Sequence, residues 1–143
     1  MAEGVQTIPA RAYLENIEEL KHVFLAGDLQ KPTPYPFFRE TRGEVILCSY
    51  LAGDDGEYHW HPDITEYEYV IEGRVGYFSV GEEREIWLNA GDFMKVPAGA
   101  CVRRLVPAPA RTLAFKLPSQ NDKISCRDCD RECKYRVEPR MKK

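Results

Sequence analysis

Two histidines and a glutamate stand close together in the segment Gly53-Asp-Asp-Gly-Glu-Tyr-His59-Trp-His61-Pro-Asp-Ile-Thr-Glu66-Tyr-Glu68. An extended backbone repeats every two residues, so His59 and His61 share one face of a strand, about 7 Å apart. Two neutral imidazoles at that separation can close on one ion, and a carboxylate arriving from the adjoining strand, Glu66, completes three ligands. Two nitrogens and one carboxylate leave positions open for water, dioxygen or substrate, which suits a divalent transition ion: iron, manganese, nickel or zinc. Glu68 shares the face of Glu66 and is a candidate further ligand or general base, against the plainer reading of a solvated strand carboxylate. His22 is isolated, falls in a stretch with helical spacing, and is read as an ordinary core or surface residue.

A second group of ligand-type residues sits near the C-terminus, in Ser-Cys126-Arg-Asp-Cys129-Asp-Arg-Glu-Cys133-Lys-Tyr-Arg. On a helix, offsets of three and seven place the three thiols on one face. Clustered beside Arg127, Arg131 and Lys134 they would ionise more readily, which suits zinc, an iron–sulfur cluster or redox chemistry. A closed zinc site needs a fourth ligand, for which Cys48, His22, Asp130 or a residue of another subunit are the options. A redox-active thiol set, or a disulfide within the three, stays open.

Positioning the first group requires strands. Between residues 37 and 118, apolar or alternating runs recur at 44–51, 57–61, 66–72, 74–80, 84–88, 93–96, 101–106 and 112–117. Glycine, proline, asparagine and aspartate separate them, the pattern of a sandwich or barrel rather than of βαβ units. Gly73, Gly91 and Gly99 mark tight turns where φ is positive. Upstream, Leu14, Ile17, Leu20 and Phe24 fall at helical spacing, with Gly27 as a stop. The proline-rich connector 31–36 cannot lie inside a helix or a central strand. The expected division is an arm and connector (1–36), a β-barrel (37–118) and a polar, cysteine-rich tail (119–143).

The spacing Gly53, His59, His61, Glu66, Gly73 resembles the first motif of the cupin superfamily at every position. Gly91, Pro97 and Gly99 match the second motif, whose histidine and asparagine positions hold Val102 and Val106. The resemblance implies an all-β fold, a single cupin barrel (double-stranded β-helix, or jelly roll), with a short N-terminal helical arm and the cysteine-rich tail outside the family pattern. It also implies a metal on His59, His61 and Glu66, although the usual fourth ligand is replaced by Val102. Arg104 shares the face of Val102 and is a candidate to pair an anionic substrate; Cys101 falls on the opposite face, as a small buried hydrophobe. Tyr58, Trp60, Tyr67 and Tyr69 lie on the parity opposite to the ligands and are assigned to packing between sheets or subunits.

Composition limits the function classes. The 143 residues suffice for one domain, and 43% hydrophobic with 30% charged residues is ordinary for a globular protein. A net charge of −3 disfavours a general nucleic-acid or anionic-membrane partner, although residues 119–143 carry eight Lys/Arg against five Asp/Glu. No basic, apolar leader opens the chain, so a cytoplasmic location with reduced cysteines is expected. The resemblance implies a metal-dependent enzyme acting on a small organic substrate, of dioxygenase, isomerase or lyase type. The alternative is a non-catalytic small-molecule binding or sensing domain. A homodimer is the expected assembly.

Overall fold

The computed structural model describes residues 4–135. A seven-residue helix, α1 (Leu14–Leu20), is followed by eleven strands among the described residues. They are β1 (His22–Gly27), β2 (Phe38–Arg39), β3 (Glu44–Tyr50), β4 (His59–Trp60), β5 (Thr65–Glu72), β6 (Arg74–Ser79), β7 (Arg84–Asn89), β8 (Phe93–Val96), β9 (Val102–Leu105), β10 (Ala110–Leu117) and β11 (Ile124–Ser125). Two sheets face one another, one ordered β2-β1-β3-β10-β5-β8 and the other β11-β4-β9-β6-β7. All eight runs recognised by alternation become strands, and every pairing is antiparallel except β1 with β2.

Alternation sorts the side chains. Ile46, Cys48 and Tyr50 of β3, Val70 of β5, Val75 and Tyr77 of β6, and Val102 of β9 meet between the sheets in one buried cluster. Their inward aim follows from the two-residue period, and removing this apolar surface from water is the main force closing the barrel. The turn after β5 shows how tightly the sheets approach. Gly73 has φ +82°, and a Cβ there would lie 2.5 Å from Pro109 O and 2.9 Å from Ala110 Cα.

The N-terminal segment departs from its helical reading. The helix stops at Lys21, which takes φ +64° and donates its N–H to Ile17 O at 2.8 Å. Phe24, the last member of the helical spacing, lies instead on β1, which pairs with β3 from His22↔Cys48 onward. The segment His22-Val-Phe-Leu is apolar because both faces of this strand are covered. Val23 and Leu25 pack outward against Ile17 and Tyr35, while Phe24 packs inward on the barrel core. A strand buried on two sides loses its alternation and cannot be told from a helix by periodicity.

His22 consequently belongs to the barrel interior, with Nε2 3.3 Å from the Tyr50 hydroxyl. Burial, and then the nearby Arg104 charge, push its pKa down to about 4. The unfolded chain protonates near the ordinary value of 6.5, the folded one only near 4, so stability falls as pH drops through that window. His22→Leu is expected to flatten this loss in urea titrations at successive pH values. The wild-type-minus-variant difference should approach, at most, roughly 3 kcal/mol. Gly73→Ala meets both a left-handed backbone and the Pro109 carbonyl, and is expected to lower unfolding stability by about 1–3 kcal/mol or more in thermal or urea melts.

Candidate metal centre

The strand β4 contributes His59, and His61 follows one residue beyond its end; β5 contributes Glu66 and Glu68. In the backbone ladder His59 stands opposite Val102 of β9 and Ser125 of β11, and Glu66 opposite Lys116 of β10 and Val96 of β8. The two histidines thus come from one sheet and the glutamate from the other. Barrel closure brings them to a common point. One ligand atom from each of His59, His61 and Glu66 lies within 4.8 Å of the others, the single such group among the described residues.

Hydrogen bonds fix which nitrogen each imidazole presents. His61 Nδ1 lies 2.7 Å from Asp122 Oδ1, and His59 Nδ1 lies 3.1 Å from the Glu57 carbonyl oxygen. Both partners can only accept, so each Nδ1 carries the proton and each Nε2 offers a lone pair inward. Asp122 is itself held, accepting the N–H of Asp63 at 2.8 Å and of Ile64 at 3.3 Å on its other oxygen. His61 Nε2 and Glu66 Oε1 then face each other at 2.8 Å, both buried and neither with a hydrogen-bond partner. His59 Nε2 is 3.7 Å from the same oxygen. Converging lone pairs are relieved by a cation or by a proton on the imidazole. Burial works against a charge on His61, but Glu66 and Asp122 outweigh it and raise its pKa. Burial likewise opposes ionisation of Glu66, yet His59, His61 and Lys116 hold its carboxyl far below the usual range. These donors fit a divalent transition ion: two imidazoles with set tautomers, one ionised carboxylate, and outer partners that orient them.

The ligands open on a cavity of about 300 Å³ inside the barrel, also lined by His22, Tyr50, Glu68, Tyr77, Val102, Arg104 and Lys116. Glu68 stands apart from the three-residue group. It is buried, with the Tyr77 hydroxyl donating to one oxygen and Thr112 Oγ1 to the other at 2.6 Å. Burial raises its pKa despite those two donors. Arg104 lines the same cavity; its guanidinium lies 4.2 Å from the centre of the Tyr50 ring, and Nε and Nη2 donate to the Asp54 carbonyl at 3.2 and 3.1 Å. Val102 is buried in the cavity wall and brings no heteroatom.

The tail lacks the expected helix. Ser125 is extended and paired to His59, Cys126–Asp128 form a single 3-10 turn, and Cys129 is extended again. Contacts with the barrel override the local spacing: Trp60 Nε1 donates to Cys129 Sγ at 3.3 Å, and the Arg131 guanidinium lies 3.5 Å from the centre of the Trp60 ring. Cys126, Cys129 and Cys133 nevertheless line one cavity, outside the barrel. Cys48 and His22, weighed as fourth ligands for that group, lie inside the barrel instead. Tyr58 and Trp60 face the tail, while Tyr67 stacks on Phe93 at 5.6 Å and Tyr69 is exposed. Sequence reasoning missed Asp122, Lys116, Tyr50, Tyr77 and Thr112. Parity on β3, β6 and β10 could have found all but Asp122, which sits in an irregular segment without a pattern.

The cupin domain family model matches residues 46–107. No curated protein matches the sequence. Among solved structures, an uncharacterised double-stranded β-helix protein from Klebsiella pneumoniae is similar at 20% identity and TM-score 0.54, over 59% of this chain and 70% of that one. The DMSP lyase DddQ from Ruegeria pomeroyi is similar at 18% identity and TM-score 0.61, over 78% of this chain and 53% of the lyase. Oxalate decarboxylase from Bacillus subtilis, a protein with Mn(II) centres, is similar at 22% identity and TM-score 0.53, over 59% of this chain and 24% of the decarboxylase. The chain therefore spans about half the length of the lyase and a quarter of that of the decarboxylase. At such identities the similarity speaks for the fold. Two facing sheets, a cupin domain model matching residues 46–107 and double-stranded β-helix neighbours together identify a cupin-type barrel fold, with the His59, His61 and Glu66 spacing inside the matched segment.

Proposed function

We propose that the barrel is a metal-dependent enzyme acting on a small anionic organic molecule. The observation that carries this reading is the buried approach of His61 Nε2 and Glu66 Oε1 at 2.8 Å without a hydrogen bond. Such a pair is costly when left alone and well matched to an ion between its members. His59, His61 and Glu66 would hold the ion, which when bound supplies Lewis acidity with open positions. Arg104 and Lys116 bring positive charge to the cavity, and the planar guanidinium suits a carboxylate. Glu68, kept at a raised pKa by burial, is the candidate to take or return a proton, with Tyr77 and Thr112 holding its two oxygens in place. The lyase and the decarboxylase of similar fold are named for reactions on small molecules, in line with this class. Whether the reaction is an oxygenation, an isomerisation or an elimination depends on the ion and the substrate.

On this reading residues 37–118 carry the metal ligands, while β1 adds His22 to the cavity wall and the start of the tail adds Asp122 behind His61. A cytoplasmic homodimer is the assembly we favour. Tyr69, Ile71 and Phe93, exposed together on the outer face of β5 and β8, offer an apolar surface for pairing. A second reading, a non-catalytic binding or sensing domain, draws on Val102, whose side chain stands where the family's further ligand is usual.

Elemental analysis of the purified protein is expected to find one first-row transition ion per barrel, lost in His61→Ala and Glu66→Gln. Asp122→Asn should weaken that ion roughly 10–100-fold in competition with a chelator, because the outer partner sets the tautomer and basicity of His61. Glu68→Gln should retain the metal while abolishing turnover in a screen of small carboxylates. A folded wild-type barrel that neither retains nor gains thermal stability from any of these ions would leave the binding reading standing.

A further inference from the structure

We propose that Cys101, Cys126, Cys129 and Cys133 form a second, closed metal site for zinc, which clips the tail onto the barrel. The site lies outside the barrel cavity and does not depend on the function proposed for it. The four thiols line one cavity of about 100 Å³, whose floor is Trp60 and Tyr58. Cys101 belongs to the turn entering β9, between Gly99 and Val102. Parity turns Val102 into the barrel and Cys101 away from it, toward the tail. The fourth ligand that the tail lacks locally is therefore supplied from 25 residues upstream of Cys126, the distance between positions 101 and 126 in the chain.

The sulphurs are held by hydrogen bonds: Cys126 Sγ donates to the Tyr135 carbonyl at 3.7 Å, and two others accept. Cys129 Sγ accepts from Trp60 Nε1 at 3.3 Å and from the Arg131 backbone N–H at 3.4 Å, and Cys133 Sγ accepts from the Tyr135 backbone N–H at 3.4 Å. Backbone N–H groups two residues beyond a cysteine, aimed at its sulphur, are the outer-shell donors that stabilise metal-bound thiolate. Arg131 adds positive charge at the rim, over the Trp60 ring and bonded to the Gly99 carbonyl at 2.8 Å. A doubly charged zinc ion takes four sulphurs at about 2.3 Å in a tetrahedron. The sulphurs stand wider than this, since no three of them fall within the 4.8 Å that groups the barrel ligands. Binding therefore draws the turn at residues 126–133 inward. Four thiolates leave no position open, which makes the site structural, and zinc, having no ligand-field preference, tolerates the irregular backbone that presents them.

The test uses the full-length protein purified without chelator. Zinc analysis is expected to give one ion per chain, released when the thiols are titrated with a mercurial, and falling to near zero in Cys101→Ser and in Cys129→Ser while the barrel ion stays. Cys48→Ala, inside the barrel, should keep the zinc. Cobalt substitution of the wild-type protein, which needs no variant to fold, should give the visible bands of a tetrahedral tetrathiolate. Zinc retained in full by Cys101→Ser overturns the four-cysteine assignment. Iron with sulfide, a disulfide among these cysteines in the fresh protein, or four freely reactive thiols with no bound ion overturns the zinc site altogether.

Discussion

Two lone pairs buried against each other, one on His61 and one on Glu66, constrain much of this molecule. Neither atom can turn away: the imidazole is fixed through its other nitrogen by Asp122, and Glu66 is locked in a strand flanked on both sides by neighbours. Leaving such a pair without compensation in a low-dielectric interior is unfavourable. The arrangement also requires parts that are far apart in the chain. One histidine pair comes from the smaller sheet, the glutamate from the larger, and the aspartate from the tail. The barrel must close, and the tail must lie along β4, before the confrontation exists.

The cavity behind this point has two chemical halves. Near the mouth are imidazoles, an ionised carboxylate and Lys116. Deeper in, Glu68 is enclosed by the hydroxyls of Tyr77 and Thr112, with Tyr50, His22 and Arg104 around it. The environments push the two glutamates in opposite directions, Glu66 down and Glu68 up. Two carboxyl groups two residues apart on one strand can thus occupy different protonation states at one pH. Val102 adds an apolar wall beside His59, its partner across the ladder, and brings no heteroatom. Any ligand entering the barrel meets the His59, His61 and Glu66 group from one side and the Glu68 carboxyl from another.

Much of this was legible in the sequence because strands write a simple period. His59, His61, Glu66, Glu68, Val102 and Arg104 all follow from counting by two, and the turn glycines gave the strand boundaries. What failed did so for identifiable reasons. β1 is buried on both faces, by α1 and Tyr35 outside and by the barrel inside, so its apolar run imitates a helix and hid His22. The tail cysteines carry helical offsets, but pairing with β4 and the indole contact of Trp60 outweigh the weak helical preference of a short polar segment. Asp122 could not be read at all. Its role comes from where an irregular segment happens to lie in space, and no local periodicity encodes that.

The hydrogen bond between Asp122 and His61 closes a loop of 61 residues. During synthesis the three residues that converge in the barrel leave the ribosome close together, but their outer partner emerges only after β5 to β10 have been made. Local strands place His61 near Glu66, whereas its tautomer depends on a residue 61 positions away. Correct geometry at this ring is therefore a long-range closure, not a local one. The segment that carries Asp122 thus sets a ring that the neighbouring strands alone only bring nearby.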